Sequence, residues 1–213
     1  MGIRLFNLFA KITGWPLQWL CFRTKVLYED PSVQKRHIRG SAIVISNHTS
    51  IYDYAVFLFV FWTRTIRCQM AELLFGKKPL GWILRALGGI RVDRNTHDFG
   101  FVAQSEEILR RGGVVEIFPE SRLPREGEER PLPFKPSAAF LALSSGAKVI
   151  PAYTNGRYFQ RGRAVVLIGR PIDPRAVTEG IADEKERITA LNGQMRRRIM
   201  ELEREYRERC EKR

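Results

Sequence analysis

Short runs of β-branched and aliphatic residues alternate along the chain with longer segments whose apolar residues recur every three or four positions. The runs Lys25–Tyr28, Ala42–Ser46, Thr65–Met70, Val114–Phe118, Val149–Tyr153 and Ala164–Ile168 have the length and composition of strands. Helical spacing marks about 52–61, 72–86, 98–111, 136–145 and a long stretch from about 182 to 210. Strand and helix in alternation predict an α/β fold: a mixed, largely parallel sheet flanked by helices. Neither an internal repeat nor a low-complexity linker divides the chain. It reads as one domain over residues 25–213, ending in a long amphipathic helix and preceded by a separate segment, 1–24.

Helix ends carry the expected punctuation. Asp98 stands before Phe99 and Val102, and that helix stops at Gly112-Gly113. In the last segment, Ile188, Leu191, Met195, Ile199, Leu202 and Tyr206 recur at spacings of three and four, which predicts one face laid on the domain and a mixed-charge outer face.

Residues 1–24 are different. Ile3, Leu5, Phe6, Leu8, Phe9, Ile12, Trp15, Leu17, Trp19, Leu20 and Phe22 crowd the segment, and Arg4, Lys11 and Arg23 punctuate it. Pro16 after Gly14-Trp15 predicts two short helices rather than one. The longest uncharged stretches, Ile12–Phe22 and Tyr54–Trp62, fall short of the roughly 18 apolar residues of a spanning helix. A small-residue cleavage site of the secretory kind is also missing. Aromatic helices edged with positive charge suit the bilayer interface, and this segment is expected to lie there.

Composition sharpens the picture. The 213 residues hold 36 Lys+Arg against 23 Asp+Glu, a net charge of +13, with 44% hydrophobic residues. A chain of that balance builds a core and attracts polyanions: an anionic membrane face, an acidic carrier protein or phosphorylated molecules. Nucleic acid is not expected, because no zinc finger, RNA-recognition aromatic signature or Gly-rich phosphate loop is present. Lys77, Lys78, Arg85 and Arg91 add basic positions for anionic headgroups or an acidic carrier. Cys21, Cys68 and Cys210 are odd in number and far apart, which fits neither a zinc cluster nor a disulfide framework and points to a reducing compartment or a fold that needs no staples.

The chemistry concentrates in Ala42-Ile-Val-Ile-Ser-Asn47-His48-Thr-Ser50-Ile-Tyr-Asp53. A buried strand delivers Asn47 and His48 to its carboxyl end, where open α/β sheets place their sites. Asp53 opens the next helix, close enough to turn back on the imidazole. A carboxylate on one ring nitrogen leaves the other as a proton acceptor. Ser50 sits in no Gly-x-Ser-x-Gly elbow, so the attacking hydroxyl can equally belong to a substrate. Gly88 to Arg94 bring Arg91 and Arg94 after a turn, Phe118-Pro119-Glu120-Ser121-Arg122 follows another strand, and Val149-Ile150-Pro151 closes a third. Arginines at such a sheet edge provide planar, charge-assisted recognition of a phosphate.

In this order the pieces resemble the glycerolipid acyltransferases, typified by 1-acylglycerol-3-phosphate (lysophosphatidate) acyltransferase. The family motif Asn-His-x-Ser-x-x-Asp is matched at Asn47, His48, Ser50 and Asp53, and its Gly-x-x-x-Ile-Asp-Arg-like motif at Gly88–Arg94. Phe-Pro-Glu-Gly-Thr-Arg is matched at Phe118, Pro119 and Glu120; Ser121 then replaces the glycine and Arg122 arrives one position early. The resemblance covers about residues 40–155. It implies transfer of a fatty acyl group from acyl-CoA or acyl-carrier protein to a lysophospholipid hydroxyl, at the cytoplasmic face of a membrane. It also implies His48 as base, Asp53 as its orienting carboxylate, and Asn47, Ser50, Arg91, Arg94, Glu120, Ser121 and Arg122 as substrate-binding residues. Neither metal nor resident cofactor is called for, the acyl thioester being a co-substrate. The shifted arginine makes another acceptor, such as glycerol-3-phosphate or a lyso-ornithine lipid, an open alternative. Two readings from other classes remain: a hydrolase acylated on Ser50, and a non-catalytic basic module that binds membranes.

Overall fold

The computed structural model describes residues 2–93, 99–160 and 162–210. Seven strands, β1 (Lys25–Tyr28), β2 (Ala42–Ser46), β3 (Ile66–Ala71), β4 (Ile90–Val92), β5 (Val114–Ile117), β6 (Lys148–Thr154) and β7 (Val165–Ile168), form one sheet in the order β1-β7-β6-β2-β5-β3-β4. All neighbouring pairs are parallel except β6 and β7, so the sheet is mixed and largely parallel. The helices are α1 (Ile3–Cys21), α2 (Asp53–Val60), α3 (Leu80–Leu87), α4 (Gly100–Arg110), α5 (Ser137–Ser145), the short α6 (Pro174–Val177) and α7 (Glu184–Cys210).

Period-two alternation divides the central strands between two cores. Ile43, Ile45, Val115, Ile117 and Val149 point to one face, under Leu109 of α4, Ala138 and Leu141 of α5, and Leu191, Met195 and Ile199 of α7. Ala42, Val44, Val114 and Ile150 point to the other, under Val56, Phe57 and Val60 of α2. The uncharged run from Tyr54 is thus a core helix, with α1 and α3 packed outside it around Phe6, Phe59 and Leu84. Every strand of β2, β5, β6 and β7 is almost wholly buried, which explains why they read as continuous apolar runs.

Two helices depart from expectation. The segment expected over 72–86 is a 3-10 turn at Glu72–Leu74 followed by α3 from Leu80. Pro79, at the N-cap, ends any continuous helix, and the chain folds back so closely that a Cβ on Gly81 would meet the Phe75 carbonyl oxygen at 2.1 Å. The amino-terminal segment is one helix, α1, rather than two, with Pro16 inside it. Pro16 is exposed, and the single hydrogen bond it removes is outweighed by tethers on either side. Asn7 donates to the Leu87 carbonyl (2.8 Å), Lys11 to the carbonyls of Phe61, Trp62 and Arg64 (3.4, 3.0 and 2.7 Å), and Gln18 to Thr24 Oγ1 (2.7 Å).

These tethers turn α1 inside out. Its polar Asn7, Lys11 and Gln18 face the protein, whereas Leu8, Phe9, Ile12, Trp15, Leu17, Trp19 and Leu20 face outward, Leu17 and Leu20 being 63% and 65% exposed. Trp82 of α3 meets Phe6 edge-on at 5.5 Å and extends the apolar surface together with Leu80 and Leu73. Among the described residues no helix is long and apolar enough to cross a membrane. The Asp98 cap and Arg94 lie outside the described residues.

Burial pulls the Lys11 ammonium from 10.5 down to about 8. Between those values the unfolded chain holds a proton that the folded chain has lost, so this group makes folding more favourable as pH rises. The gain is roughly 3 kcal/mol at most. Denaturant unfolding from pH 7.5 to 10.5 should therefore show wild type gaining on Lys11→Met, in which no such titration exists; a constant difference would show that Lys11 titrates normally.

Candidate active site

The site forms where β2 ends. Asn47 is tied across to β6 by a reciprocal pair, its Nδ2 donating to the Thr154 carbonyl and its Oδ1 accepting from the Thr154 amide, both at 2.8 Å. With the backbone so fixed, His48 leaves the sheet edge over the first turn of α2. Its Nδ1 donates to Asp53 Oδ2 at 2.8 Å, so the lone pair lies on Nε2 of a ring that is 20% exposed. Phe118, at the end of β5, stacks on the imidazole with centroids 4.5 Å apart and planes 22° from parallel. Ring orientation is thereby fixed from the edge and from the face.

Asp53 is fully buried, and five donors surround its carboxylate. Oδ2 accepts from His48 Nδ1 and from the amides of Thr49 (2.7 Å) and Ser50 (3.0 Å). Oδ1 accepts from Thr49 Oγ1 (2.8 Å) and from the Tyr158 hydroxyl (2.6 Å). A buried anion is tolerable when its lone pairs are filled in this way. Ser50 shapes the turn: its hydroxyl accepts from the Tyr52 amide at 3.2 Å and its carbonyl from the Asp53 amide at 3.1 Å.

Glu120 reaches the site from the loop after β5. Its Oε1 accepts from the His48 amide (2.9 Å) and its Oε2 from the Leu132 amide (2.8 Å), so the buried carboxylate clamps two loops together. The amides of His48, Thr49 and Ser50 are consequently all taken, and an oxyanion must be met by other donors. Arg122 forms a two-pronged pair with Glu128 at 2.6 and 2.7 Å, and that hydrogen bonding pulls the Glu128 carboxyl down to about 2. Arg91 lies on β4, mostly exposed, paired with Glu72 at 3.0 Å. His48, Asp53, Asn47, Ser50 and Glu120 therefore form one connected constellation, while Arg91 and Arg122 are engaged elsewhere with acids. Phe118, a motif residue, adds the stacking face, and Thr49 and Tyr158 complete the site without having been singled out from the sequence. Thr49 lies inside the motif at a variable position, whereas nothing local marks Tyr158, which meets Asp53 across 105 residues.

Ser121 takes a left-handed backbone, φ 61°, at the position where the resembling motif carries glycine. Holding a residue with a Cβ there costs about 1 kcal/mol. Ser121→Gly should recover about that amount, a rise of roughly 3 °C in Tm for a chain of this size, read by thermal melting. A lower Tm would mean that the serine side chain makes a stabilising contact that glycine cannot.

Comparisons with known proteins place the chain in a family. A family model described as Acyltransferase matches residues 25–155. A 1-acyl-sn-glycerol-3-phosphate acyltransferase of Limnanthes alba is 31% identical over 166 residues, 74% of this chain and 54% of its own length. One of Bacillus subtilis is 29% identical over 135 residues, 61% of this chain and 65% of its own. The chain thus spans between half and two thirds of the length of these curated relatives. The crystal structure of the 1-acyl-sn-glycerophosphate acyltransferase PlsC from Thermotoga maritima superimposes over 94% of this chain and 79% of its own, with TM-score 0.63 at 24% identity, and shares the fold. With more than half of its length matched by the family model, and with the His48–Asp53 pair set at the sheet edge inside that match, the chain belongs to the acyltransferase family.

Proposed function

We propose that the protein transfers a fatty acyl group from a thioester, acyl-CoA or acyl-carrier protein, to the free hydroxyl of a lysophospholipid of the 1-acyl-sn-glycerol-3-phosphate type. The observation that carries this reading is the Asp53–His48 pair, with Nδ1 committed to a fully bonded buried carboxylate and Nε2 left free. Nε2 takes the proton of the acceptor hydroxyl as its oxygen attacks the thioester carbonyl. Asp53 stabilises the imidazolium so formed. Collapse of the tetrahedral intermediate breaks the C–S bond, and the imidazolium returns its proton to the departing thiolate, leaving an ester, a free thiol and neutral His48. Direct transfer is favoured over an acylated Ser50 because that hydroxyl accepts from the Tyr52 amide and is not among the five donors to Asp53, which are His48, the Thr49 and Ser50 amides, the Thr49 hydroxyl and Tyr158.

Arg122, which the resemblance makes a headgroup contact, has its charge matched by Glu128. That pairing favours keeping a second acceptor class in view, one without a phosphate monoester, such as a lyso-ornithine lipid. The acyl chains of either class lie in a membrane, and α1 offers the matching surface: outward aromatic and aliphatic side chains with Arg4 and Arg23 at its ends. We assign the protein to the anionic cytoplasmic face of a membrane on that basis.

Purified protein in detergent, supplied with palmitoyl or oleoyl thioesters and a panel of lysophospholipids, glycerol-3-phosphate and lyso-ornithine lipid, should give acceptor-dependent ester. His48→Ala should lower that rate by at least about 100-fold. Thioester loss without acceptor would indicate a hydrolase instead. In flotation with anionic vesicles, Leu17→Gln combined with Leu20→Gln should release most of the protein at unchanged Tm, since both side chains are already exposed; undiminished flotation would place membrane contact elsewhere.

A further inference from the structure

The second oxygen of Asp53 has a partner that lies outside the residues matched by the family model, in the loop between β6 and β7. We infer that Tyr158 is a positioning residue for the proton transfer, its hydroxyl holding Asp53 Oδ1 and so setting how strongly the carboxylate draws the Nδ1 proton of His48. The inference rests on the acyl-transfer reading for its kinetic part only.

Three features of the loop make the contact a built one. The Tyr158 hydroxyl lies 2.6 Å from Asp53 Oδ1 and 3.0 Å from Thr154 Oγ1. Its single proton goes to the carboxylate, which can only accept, so Thr154 Oγ1 donates to the phenol in turn. Thr154 is the residue clamped by Asn47, and a closed circuit runs from Asn47 through Thr154, Tyr158 and Asp53 to His48. Next, Gly156 has φ 64°, and a Cβ there would meet Thr49 Oγ1 at 2.6 Å; only glycine lets the loop come down on the Asp53 turn. Finally, Phe22 packs edge-on against the Tyr158 ring at 5.4 Å, and the Phe159 amide donates to the Cys21 carbonyl, which pins the loop to the end of α1.

The electrostatics leave Tyr158 in one state. Burial, then the charge of Asp53, push the phenol far above its ordinary range, so it remains a neutral donor. On the other side of Asp53, burial drives Glu116 of β5, Cys68 of β3 and Tyr54 of α2 upward as well, each toward its uncharged form. Glu120 touches the His48 amide and not the ring. The Tyr158 hydrogen bond is therefore a fixed bias on the carboxylate that holds the His48 ring. Withdrawing the hydroxyl concentrates the Asp53 charge on Oδ2. The imidazolium is then held more tightly, and His48 stays protonated to higher pH.

The chain has three histidines, so 15N-histidine labelling gives a readable ring spectrum, with His37 as internal reference. In Tyr158→Phe the His48 titration should move up by about half to one pH unit while His37 stays in place. In turnover, kcat should fall about tenfold with KM unchanged, and the acid limb of the kcat profile should rise by the same interval as the titration. Should the phenylalanine variant not fold, 3,5-difluorotyrosine at 158 keeps the ring and strengthens the donated bond, and the His48 titration should then move down. Unmoved titration in a folded Tyr158→Phe, or in the fluorinated protein, overturns the inference whatever the activity. A moved titration in a protein that transfers no acyl group to any acceptor leaves the inference standing and defeats the acyl-transfer reading alone.

Discussion

A carboxylate with no exposed surface governs the architecture around it. Removing an anion from water costs several kcal/mol, and the loss is tolerable only when each lone pair finds a donor. Asp53 collects them from two sources: its own turn supplies the Thr49 and Ser50 amides, the Thr49 hydroxyl and His48, and the loop between β6 and β7 supplies Tyr158. Each donor has to be held in turn. Asn47 bonded to β6, Glu120 bonded to the His48 amide, and Gly156 seated against Thr49 all serve that one requirement. Satisfying the charge and orienting the imidazole are therefore the same structural act.

The loop after β5 shows how one motif divides its labour. Glu120 is turned inward and spent on backbone amides, Ser121 accepts a left-handed conformation to reverse the chain, and Arg122 emerges on the surface against Glu128. Moving the arginine one residue forward relative to the resembling motif places it on the turn itself. There its guanidinium is already matched by an acid, in a two-pronged pair with Glu128.

Much of this was legible in the chain. Strands β2, β5, β6 and β7 are buried on both faces, and burial on both faces writes itself as an uninterrupted apolar run, so their positions were readable within a residue or two. His48 and Asp53 were readable because both belong to one turn of backbone and the distance between them is set locally. Two things were hidden. Pro16 signals a break, yet long-range tethers at Asn7 and Lys11, with a local one from Gln18 to Thr24, carry α1 past it; local propensity lost to contacts up to 80 residues away. Tyr158 was hidden for the same reason, since its partner is reached only after the β6–β7 loop folds back. Sequence spacing encodes neighbours in the chain, and these two misses involve neighbours in space, unlike the break at Pro79 in the segment expected over 72–86, which is local.

The inversion of α1 also bears on the order of assembly. Its apolar strip is complete as soon as residue 21 is made, whereas the carbonyls that receive Asn7 and Lys11 belong to Phe61, Trp62, Arg64 and Leu87, 50 to 80 residues downstream. During synthesis the helix thus spends its first moments with nothing of its own chain to lean on. Its polar side waits for a core that does not yet exist, while its greasy side is already final. The polar side of α1 thus depends on folding as far as Leu87, whereas its apolar side is fixed by the first 21 residues alone.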